Sequence, residues 1–484
     1  MSLMLLIPLV LPLVAAGLVV ATGRYPNLRD SISVVAGFIV AATVVMIQQD
    51  FQPYSFTLAE PLPGISLAFR LDELGLIFML VAGLLWPVTT LYAIGYMRGH
   101  GEAHQTSFFA WFAVAIGCTM AIALSANLFT LFLFYEALTL ATWPLVVHAR
   151  TDEARAGGRT YLSVLLITSI VFFLLVIIGT WFVAGTLEFT KGGVFPVDVN
   201  TTTASLLLVL FVFGIGKAAI MPFHRWLPAA MVAPTPVSAL LHAVAVVKAG
   251  VFTLLKVCVM IFGEDLLSSL EVTELLMYVA AASILIASII AMRQDNLKRR
   301  LAYSTVSQLN YVIMGALIAT GPAFVGSALQ IAMHAFGKIT LFFCAGAILV
   351  AAHKSKVSEL RGLGRTMPLT MVAFFIASLS IIGIPPTGGT WVKWYLLMGA
   401  LEADAVIPMV VLMISSLLSV GYLLVIPARA FFSGDAAAGS IEAGPIKEAP
   451  WPMLLAICIS TAGTVLLFFY AGPFLKLATL GVSP

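Results

Sequence analysis

The sequence is built from apolar runs that are each long enough to cross a lipid bilayer as a helix. A helix needs about 20 apolar residues to span the hydrocarbon core, and a backbone in lipid must satisfy its hydrogen bonds internally. We therefore predict an all-α polytopic membrane protein with fourteen transmembrane helices. The predicted helices lie at about 3–22, 31–48, 72–96, 106–124, 127–147, 159–184, 201–221, 236–262, 273–291, 300–319, 322–352, 368–398, 405–432 and 451–475.

The composition agrees with this fold class. Hydrophobic residues make up 61% of the 484 residues and charged residues 10%, which excludes a soluble globular protein. The four cysteines lie far apart in apolar runs, and the sequence has no phosphate loop, nucleophile motif or metal-ligand spacing. We expect no cofactor, metal ion, nucleic acid or catalytic centre. The first run lacks a basic segment before it, which indicates a membrane helix and not a signal peptide.

The loops indicate how the helices are oriented. Most of the 25 lysines and arginines lie in loops that follow odd-numbered helices, and positively charged loops face the cytoplasm. Both termini are therefore predicted on the non-cytoplasmic side of a cell inner membrane.

The stretch from Gly214 to Gly250 departs most from an ordinary membrane helix. It places Lys217, His242 and Lys248 among apolar residues, although a charged lysine at the bilayer centre costs roughly 2.5 to 3.5 kcal/mol. Four prolines between the lysines remove amide donors, so helix seven is expected to be broken. Broken backbone at membrane depth is tolerated only where it is buried in protein or lines a hydrated cavity, which Lys217 is expected to border.

A second break of the same kind lies five helices later, where Pro385-Pro386 and Gly388-Gly389 interrupt helix twelve beside Lys393. Because five is odd, helices seven and twelve cross in opposite directions, as in inverted-topology repeats. We predict two inverted five-helix repeats, helices 4–8 and helices 9–13. The predicted segments are residues 1–105 with helices 1–3, the repeats 106–262 and 263–432, and 433–484 with a loop and helix 14.

Titratable side chains form a separated row within the predicted helices. A proton needs only such stepping-stones and water, whereas a bulky solute needs a shaped pocket. Lys256, near the outer end of helix eight, is expected to extend to the surface instead. The candidate proton-transfer residues are Glu136, Lys217, His242, Lys248, His334, Lys338 and Lys393.

Glu136 lies near the middle of helix five, where a carboxylate needs to be neutral or paired. Lys217 is the candidate partner. Burial favours the neutral lysine and a nearby carboxylate favours the charged one, so movement of Glu136 could load or unload the proton of Lys217. A static buried ion pair is the alternative.

The remaining candidates also have structural alternatives. His334 and Lys338 are four residues apart on one helix face, where a neutral histidine in a packing cluster is the alternative to a relay. His242 and Lys248 are six apart, about 240° round an ideal helix, and share a face only if helix eight is locally widened. His242 could instead be a packing residue, and Lys393 could extend to the outer surface.

Several motifs together resemble the antiporter-like membrane subunits of Mrp-type cation/proton antiporters, respiratory NADH:quinone oxidoreductase and membrane-bound hydrogenases. The resemblance covers about residues 70 to 430. The motifs are GKAAIMPFHRWLPAAMVAPTPVSALLHAVAVVKAG, FYEALTLATWPLVV, LKRRLAYSTVSQLNYV, HAFGKITLFFCAG and PPTGGTWVKWYLL.

The resemblance implies fourteen helices, two inverted repeats that each hold a half-channel, and a role for each candidate. Glu136 and Lys217 resemble the family's glutamate–lysine partners, and His242 with Lys248 resembles its helix-eight relay. His334 with Lys338 resembles the site that joins the half-channels, and Lys393 resembles the exit residue. The chain ends soon after helix fourteen, without the long lateral helix of the terminal respiratory subunit, so that assignment is not expected. The length suits an Mrp D subunit or a middle pump subunit, whereas TPVSALLHAVAVVKAG is more similar to A-type subunits.

The leading hypothesis is a proton-translocating subunit of a multi-subunit Mrp-type Na⁺/H⁺ antiporter, with other membrane subunits, protons and Na⁺ as partners. The same module driven by a quinone reductase or a hydrogenase is the alternative. A stand-alone twelve-helix carrier and a membrane scaffold are less consistent with fourteen helices and buried lysines.

Overall fold

The computed structural model describes residues 2–432 and 447–483. Residues 433–446 of the predicted C-terminal segment lie outside the described residues. The longer helices are α1 (Ser2–Ala21), α2 (Pro26–Gln49), α3 (Glu73–Gly99), α4 (Gln105–Ala123), α5 (Leu128–Val146), α6 (Asp152–Ala184), α7 (Thr201–Gly214), α8 (Thr235–Phe262), α9 (Glu271–Arg293), α10 (Leu297–Ile318), α11 (Gly321–Ala352), α12 (Pro368–Ile382), α13 (Gly389–Glu402), α14 (Val406–Phe432), α15 (Trp451–Phe469) and α16 (Gly472–Val482).

Twelve helices of the described residues are long and apolar enough to cross a membrane, namely α1–α6, α8–α11, α14 and α15. Predicted helices one to eleven coincide with the helices of the same number. The predicted twelfth is divided into α12 and α13, the thirteenth is α14, and the fourteenth is α15. The seventh and twelfth predicted helices contain the breaks, and neither of them is among the twelve long spans.

Short polar side chains begin several of these helices. Asn127 accepts a hydrogen bond from the Thr130 amide at 2.8 Å before α5, and this satisfies one of the amides left unpaired at a helix start. Thr151 accepts from the Ala154 amide at 3.1 Å before α6. Because of this cap, α6 begins at Asp152, ahead of the predicted start at residue 159.

The predicted breaks in helices seven and twelve are present. α7 ends at Gly214, and a short turn over Gly216–Ala218 follows before the chain reaches α8. α12 ends at Ile382, where Gly383 adopts a left-handed φ of 91°. Glycine tolerates this conformation because it has no Cβ.

One predicted loop is a β-hairpin, so the fold is not wholly α-helical. The segment after Gln49 forms the antiparallel strands β1 (Tyr54–Leu62) and β2 (Ile65–Leu71). The alternation of aromatic and small polar residues in YSFT is a strand signal, although prolines and charges in the same segment indicated a loop.

Helices α8 and α11 form the centre of the fold. Every residue of α8 is buried, and α11 packs against α3, α10, α13 and α15. A π-helical turn over Leu240–Val244 widens α8. The titratable residues on these two helices are therefore enclosed by protein, not lipid.

Candidate functional site

Lys217 lies in the turn after α7, and its ammonium group contacts α5. Its Nζ donates to the Tyr135 carbonyl oxygen at 2.9 Å and to Thr139 Oγ1 at 2.5 Å. It also lies 3.2 Å from the centre of the Tyr135 ring. Residues four apart on a helix share a face, so Tyr135 and Thr139 reach the same ammonium. Lys217 is fully buried and is held by neutral oxygen atoms.

Glycines make room for the turn that carries Lys217. A Cβ added at Gly250 of α8 would lie 2.3 Å from the Lys217 carbonyl carbon, and one at Gly216 would lie 2.2 Å from Thr168 Oγ1. Trp226 Nε1 donates to the Gly216 carbonyl at 3.0 Å. The same carbonyl also accepts from the Ala219 amide at 3.0 Å, so this buried acceptor is fully paired. Protein atoms therefore fill the space around the break.

Glu136 makes no direct hydrogen bond with Lys217 among the described residues. Both carboxylate oxygens are buried and have no hydrogen-bond partner among the described residues. Successive residues on a helix point about 100° apart, and Lys217 lies on the face of Tyr135 and Thr139. The Glu136 side chain therefore leaves α5 in a different direction from Tyr135 and Thr139. A static ion pair with Lys217 is absent among the described residues, and coupling of the two groups through movement of Glu136 stays a prediction.

Lys248 and His334 join α8 to α11. The Lys248 Nζ lies 2.8 Å from His334 Nδ1 and donates to the Gln330 carbonyl at 3.4 Å. Gln330 in turn donates to Gln308 Oε1 at 2.9 Å. A charged lysine here requires His334 Nδ1 to accept, which places the histidine proton on Nε2. All of these side chains are buried.

His242 lies in the π-helical turn, so the local widening that the sequence analysis required is present. Its ring packs 4.6 Å from the Phe342 ring, centre to centre. Neither ring nitrogen has a hydrogen-bond partner among the described residues, and the polar contact of Lys248 is with His334 instead. The structure thus gives His242 a packing contact and an available nitrogen.

Lys338 is one helical turn from His334 on α11 but has a separate partner. Its Nζ donates to Ser304 Oγ of α10 at 2.7 Å. Tyr422 of α14 donates to the same Ser304 Oγ at 3.1 Å and lies 2.9 Å from Ser419 Oγ. His334 and Lys338, which lie one turn apart on α11, therefore contact different helices, α8 and α10.

Lys393 lies on α13 just after the second break. Its Nζ donates to Ser416 Oγ of α14 at 2.9 Å and lies 3.7 Å from the centre of the Tyr311 ring of α10. The ammonium is therefore bound within the protein and does not extend to the outer surface.

Lys256 is fully buried, so the prediction that it extends to the surface is wrong. Its Nζ lies 2.7 Å from Asp72 Oδ2 and donates to the Ser125 carbonyl at 3.0 Å. The other carboxylate oxygen of Asp72 accepts from the Gly75 amide at 2.8 Å and caps α3. The loops that cover this end of α8 come from distant parts of the chain, which is why the sequence window gave no sign of them.

Sequence reasoning missed the uncharged partners of the lysines. Their signal is weak, because serine, threonine and tyrosine also pack ordinary membrane helices. In the described ranges, Lys217 and Lys248 are not joined by a direct polar contact. Within the same ranges, no group of three or more His, Cys, Asp or Glu is placed to hold a metal ion. The missed partners are Tyr135, Thr139, Ser304, Tyr311, Gln330 and Ser416.

The family model described as "NADH:quinone oxidoreductase/Mrp antiporter, TM" matches residues 125–419. This range contains all seven candidate residues and both helix breaks. The chain belongs to this family of antiporter-like membrane subunits.

The relatives differ in how much of their own length this chain covers. The chain is 31% identical over 461 residues to NADH-quinone oxidoreductase subunit N of Desulforudis audaxviator, covering 91% of each protein. It is 31% identical over 347 residues to subunit L of Campylobacter jejuni, covering 71% of this chain but 56% of that protein. The chain thus spans little more than half of this longer relative.

The fold of this chain is similar to that of a chain in a solved complex. The match to a chain of the Mrp complex from Dietzia sp. DQ12-45-1b has a TM-score of 0.86 and 22% sequence identity, and it covers 100% of this chain and 97% of that one. At this identity the likeness describes the fold alone.

Proposed function

We propose that this chain is a proton-translocating subunit of a multi-subunit membrane complex, in the first place an Mrp-type antiporter that exchanges Na⁺ for H⁺. The observation that carries the proposal is the contrast between its buried lysines. Lys256 is paired with a carboxylate, whereas the described contacts of the row lysines are with neutral groups. Those row lysines are Lys217, Lys248, Lys338 and Lys393.

This contrast distinguishes a lysine that is fixed in a structural ion pair from a lysine whose proton can be exchanged. A carboxylate at 2.7 Å holds the proton of Lys256 in place, since a buried charge that loses its partner is strongly destabilising. A lysine held by carbonyl, hydroxyl and imidazole groups has no carboxylate in direct contact with its ammonium. Its proton can therefore leave and return as water and neighbouring side chains reorient.

The two halves of the site correspond to each other, which supports the predicted inverted repeats. Lys217 lies within the first break and over a tyrosine ring of α5, and Lys393 lies just after the second break and over a tyrosine ring of α10. The two tyrosine helices are five apart, as are the two broken helices. We therefore propose fourteen crossings in all, with half-channels in residues 106–262 and 263–432.

Protons would cross between the half-channels where α8 meets α11. The Lys248–His334 contact is the direct link between these helices, and Lys338 lies one turn further along α11. Water would have to bridge the step from Lys217 to Lys248. With basic loops on the cytoplasmic side, the proposed topology leaves both termini outside the cytoplasm, in a cell inner membrane.

A redox-driven proton pump is the second candidate. The similarity to a subunit N of NADH-quinone oxidoreductase over 91% of both chains favours it. The row of lysines would serve either complex, because the energy source lies in partner subunits.

Proton flux in membrane vesicles tests the proposed activity. Lys217→Ala and Lys338→Ala should each lower the flux by at least about tenfold, because positioned proton-transfer groups contribute roughly 10² to 10⁴ in rate. Lys476→Ala, which removes an exposed lysine of α16, is the control and should leave the flux unchanged. Wild-type flux in either row variant would refute the proposal.

Purification of the tagged chain from its native membrane tests the choice of complex. An Mrp-type assembly should bring only small hydrophobic companions, no flavin or iron-sulfur absorbance, and sodium-dependent proton flux. Coloured redox subunits in the preparation would instead establish the second candidate and exclude antiport as the main function.

A further inference from the structure

Hydroxyl groups lie between the last two lysines of the row. Lys338 Nζ contacts Ser304 Oγ at 2.7 Å, Ser304 contacts the Tyr422 hydroxyl at 3.1 Å, and Tyr422 contacts Ser419 Oγ at 2.9 Å. All four side chains are buried. Each contact is within hydrogen-bond distance, so the chain is continuous from the lysine to α14.

The hydroxyl chain continues along one face of α14 towards Lys393. Ser416 and Ser419 are three residues apart, and residues at this spacing on a helix are neighbours. Their hydroxyls donate to the backbone carbonyls of Leu412 and Ser415, both at 2.8 Å, so a proton would pass between them only after the side chains turn or a water molecule joins them. Ser416 Oγ accepts from Lys393 at 2.9 Å. Ser415 Oγ lies 3.2 Å from Ser288 and 3.3 Å from Ser307, which adds hydroxyl groups beside the same path.

We propose that Tyr422 and Ser304 are proton-transfer residues that carry protons between Lys338 and Lys393. This inference rests on the proposed function. A purely structural cluster is the competing explanation, since buried hydroxyl groups are normally hydrogen-bonded whatever their role. The position of the cluster argues against it, because it fills the interval between two row lysines that make no direct polar contact in the described residues.

The transfer conserves protons at every step. When Lys338 gives up a proton, one N–H bond breaks and an O–H bond forms on Ser304, whose original proton passes to Tyr422. Tyr422 passes its own proton to Ser419. Ser419 and Ser416 then turn towards each other or share a water molecule, so that Ser419 passes its own proton to Ser416, and Ser416 passes its own to the neutral amine of Lys393, where an N–H bond forms. Each hydroxyl gains one proton and loses one, so all four hydroxyls stay neutral. In the structure Ser304 accepts from both Lys338 and Tyr422. Its hydroxyl must therefore turn once for each proton, which makes Ser304 the gate of this segment.

The test is proton flux by vesicles that contain the assembled complex. Tyr422→Phe removes one hydroxyl, keeps the ring, and leaves the Lys338–Ser304 contact in place. We expect the flux to fall at least about tenfold. Ser304→Ala should cause a similar loss, whereas Ser304→Thr, which keeps a hydroxyl, should restore most of the flux.

Tyr92→Phe is the matched control. Tyr92 is also fully buried, and its hydroxyl donates to the Phe343 carbonyl at 2.8 Å, away from the row. It should lower thermal stability about as much as Tyr422→Phe but leave the flux of the assembled complex unchanged. Equal flux losses in both tyrosine variants would overturn the inference in favour of a structural role.

Lys338→Ala separates this inference from the proposed function. If Lys338→Ala loses flux while Tyr422→Phe and Ser304→Ala keep it, the hydroxyl chain is refuted and the proposed function stands. If Lys338→Ala keeps wild-type flux, the proposed function itself fails. Should Tyr422→Phe not assemble, Ser419→Ala tests the next hydroxyl, and unchanged flux in that variant would refute the chain.

Discussion

Removing the carboxylate of Asp72 should destabilise this protein strongly, because it isolates a buried charge. The Lys256 ammonium is fully buried, and the Asp72 side chain, 9% exposed, lies 2.7 Å from it. Breaking a buried ion pair by removing one partner costs about 3 to 5 kcal/mol, since the remaining charge is left uncompensated. Asp72→Asn should therefore lower the stability by about that amount.

Glu73→Gln supplies a control at the adjacent position. Glu73 lies 3.5 Å from Lys191, whose side chain is 38% exposed, and a pair of this kind contributes about 0 to 1 kcal/mol. The double variant Asp72→Ala/Lys256→Met removes both charges. It should recover most of the loss, because an apolar pair avoids the cost of burying charge.

Thermal unfolding can be followed by the reaction of a thiol-specific dye with the cysteines. Cys118, Cys258 and Cys344 are buried and become reactive only on unfolding, whereas Cys458 is exposed and should be blocked first. Asp72→Asn should unfold at a much lower temperature than the wild type, and Glu73→Gln close to it. Equal midpoints for Asp72→Asn and Glu73→Gln would refute the account of this ion pair.

Two further changes test other parts of the structure. Gly250→Ala should abolish proton flux without removing a titratable group. The Cβ of the new alanine would lie 2.3 Å from the Lys217 carbonyl carbon and displace the turn that carries this lysine. Wild-type flux in assembled Gly250→Ala would contradict the packing described for the first break. Hydrogen bonds from the Ser358 hydroxyl and amide lower the pKa of Asp295 in the loop before α10. A lowered carboxyl pKa stabilises the fold above the ordinary aspartate pKa, and this effect is lost as the pH falls through the folded-state pKa. Ser358→Ala should therefore reduce stability at neutral pH and match the wild type in strong acid; an equal difference at both pH values would contradict this linkage.

The sequence was sufficient to predict the helices and the two breaks because these depend on local chemistry. Long apolar runs give the spans, and prolines or glycines beside Lys217 and Lys393 give the interruptions. The β-hairpin was missed because prolines and charges concealed a short alternating pattern.

The contacts of the site depend on packing between distant segments, which periodicity does not determine. Glu136 lies in the same helix as the groups that contact Lys217, but the direct contacts of the ammonium are with Tyr135 and Thr139. Lys256 was placed at the surface by its position in α8, whereas Asp72, far away in the chain, encloses it. The serine spacing on α14 was visible in the sequence but gained meaning only when Ser304 and Lys338 were found beside Tyr422.

Proton flux in vesicles carrying Lys248→Met tests the central claim most directly, because Lys248 links α8 to His334 of α11 at the junction of the proposed half-channels. Methionine keeps the length and apolar character of the side chain and removes the proton site. The account predicts an assembled complex whose proton flux falls at least about tenfold. Wild-type flux in that assembled variant would contradict a continuous path along the buried lysines.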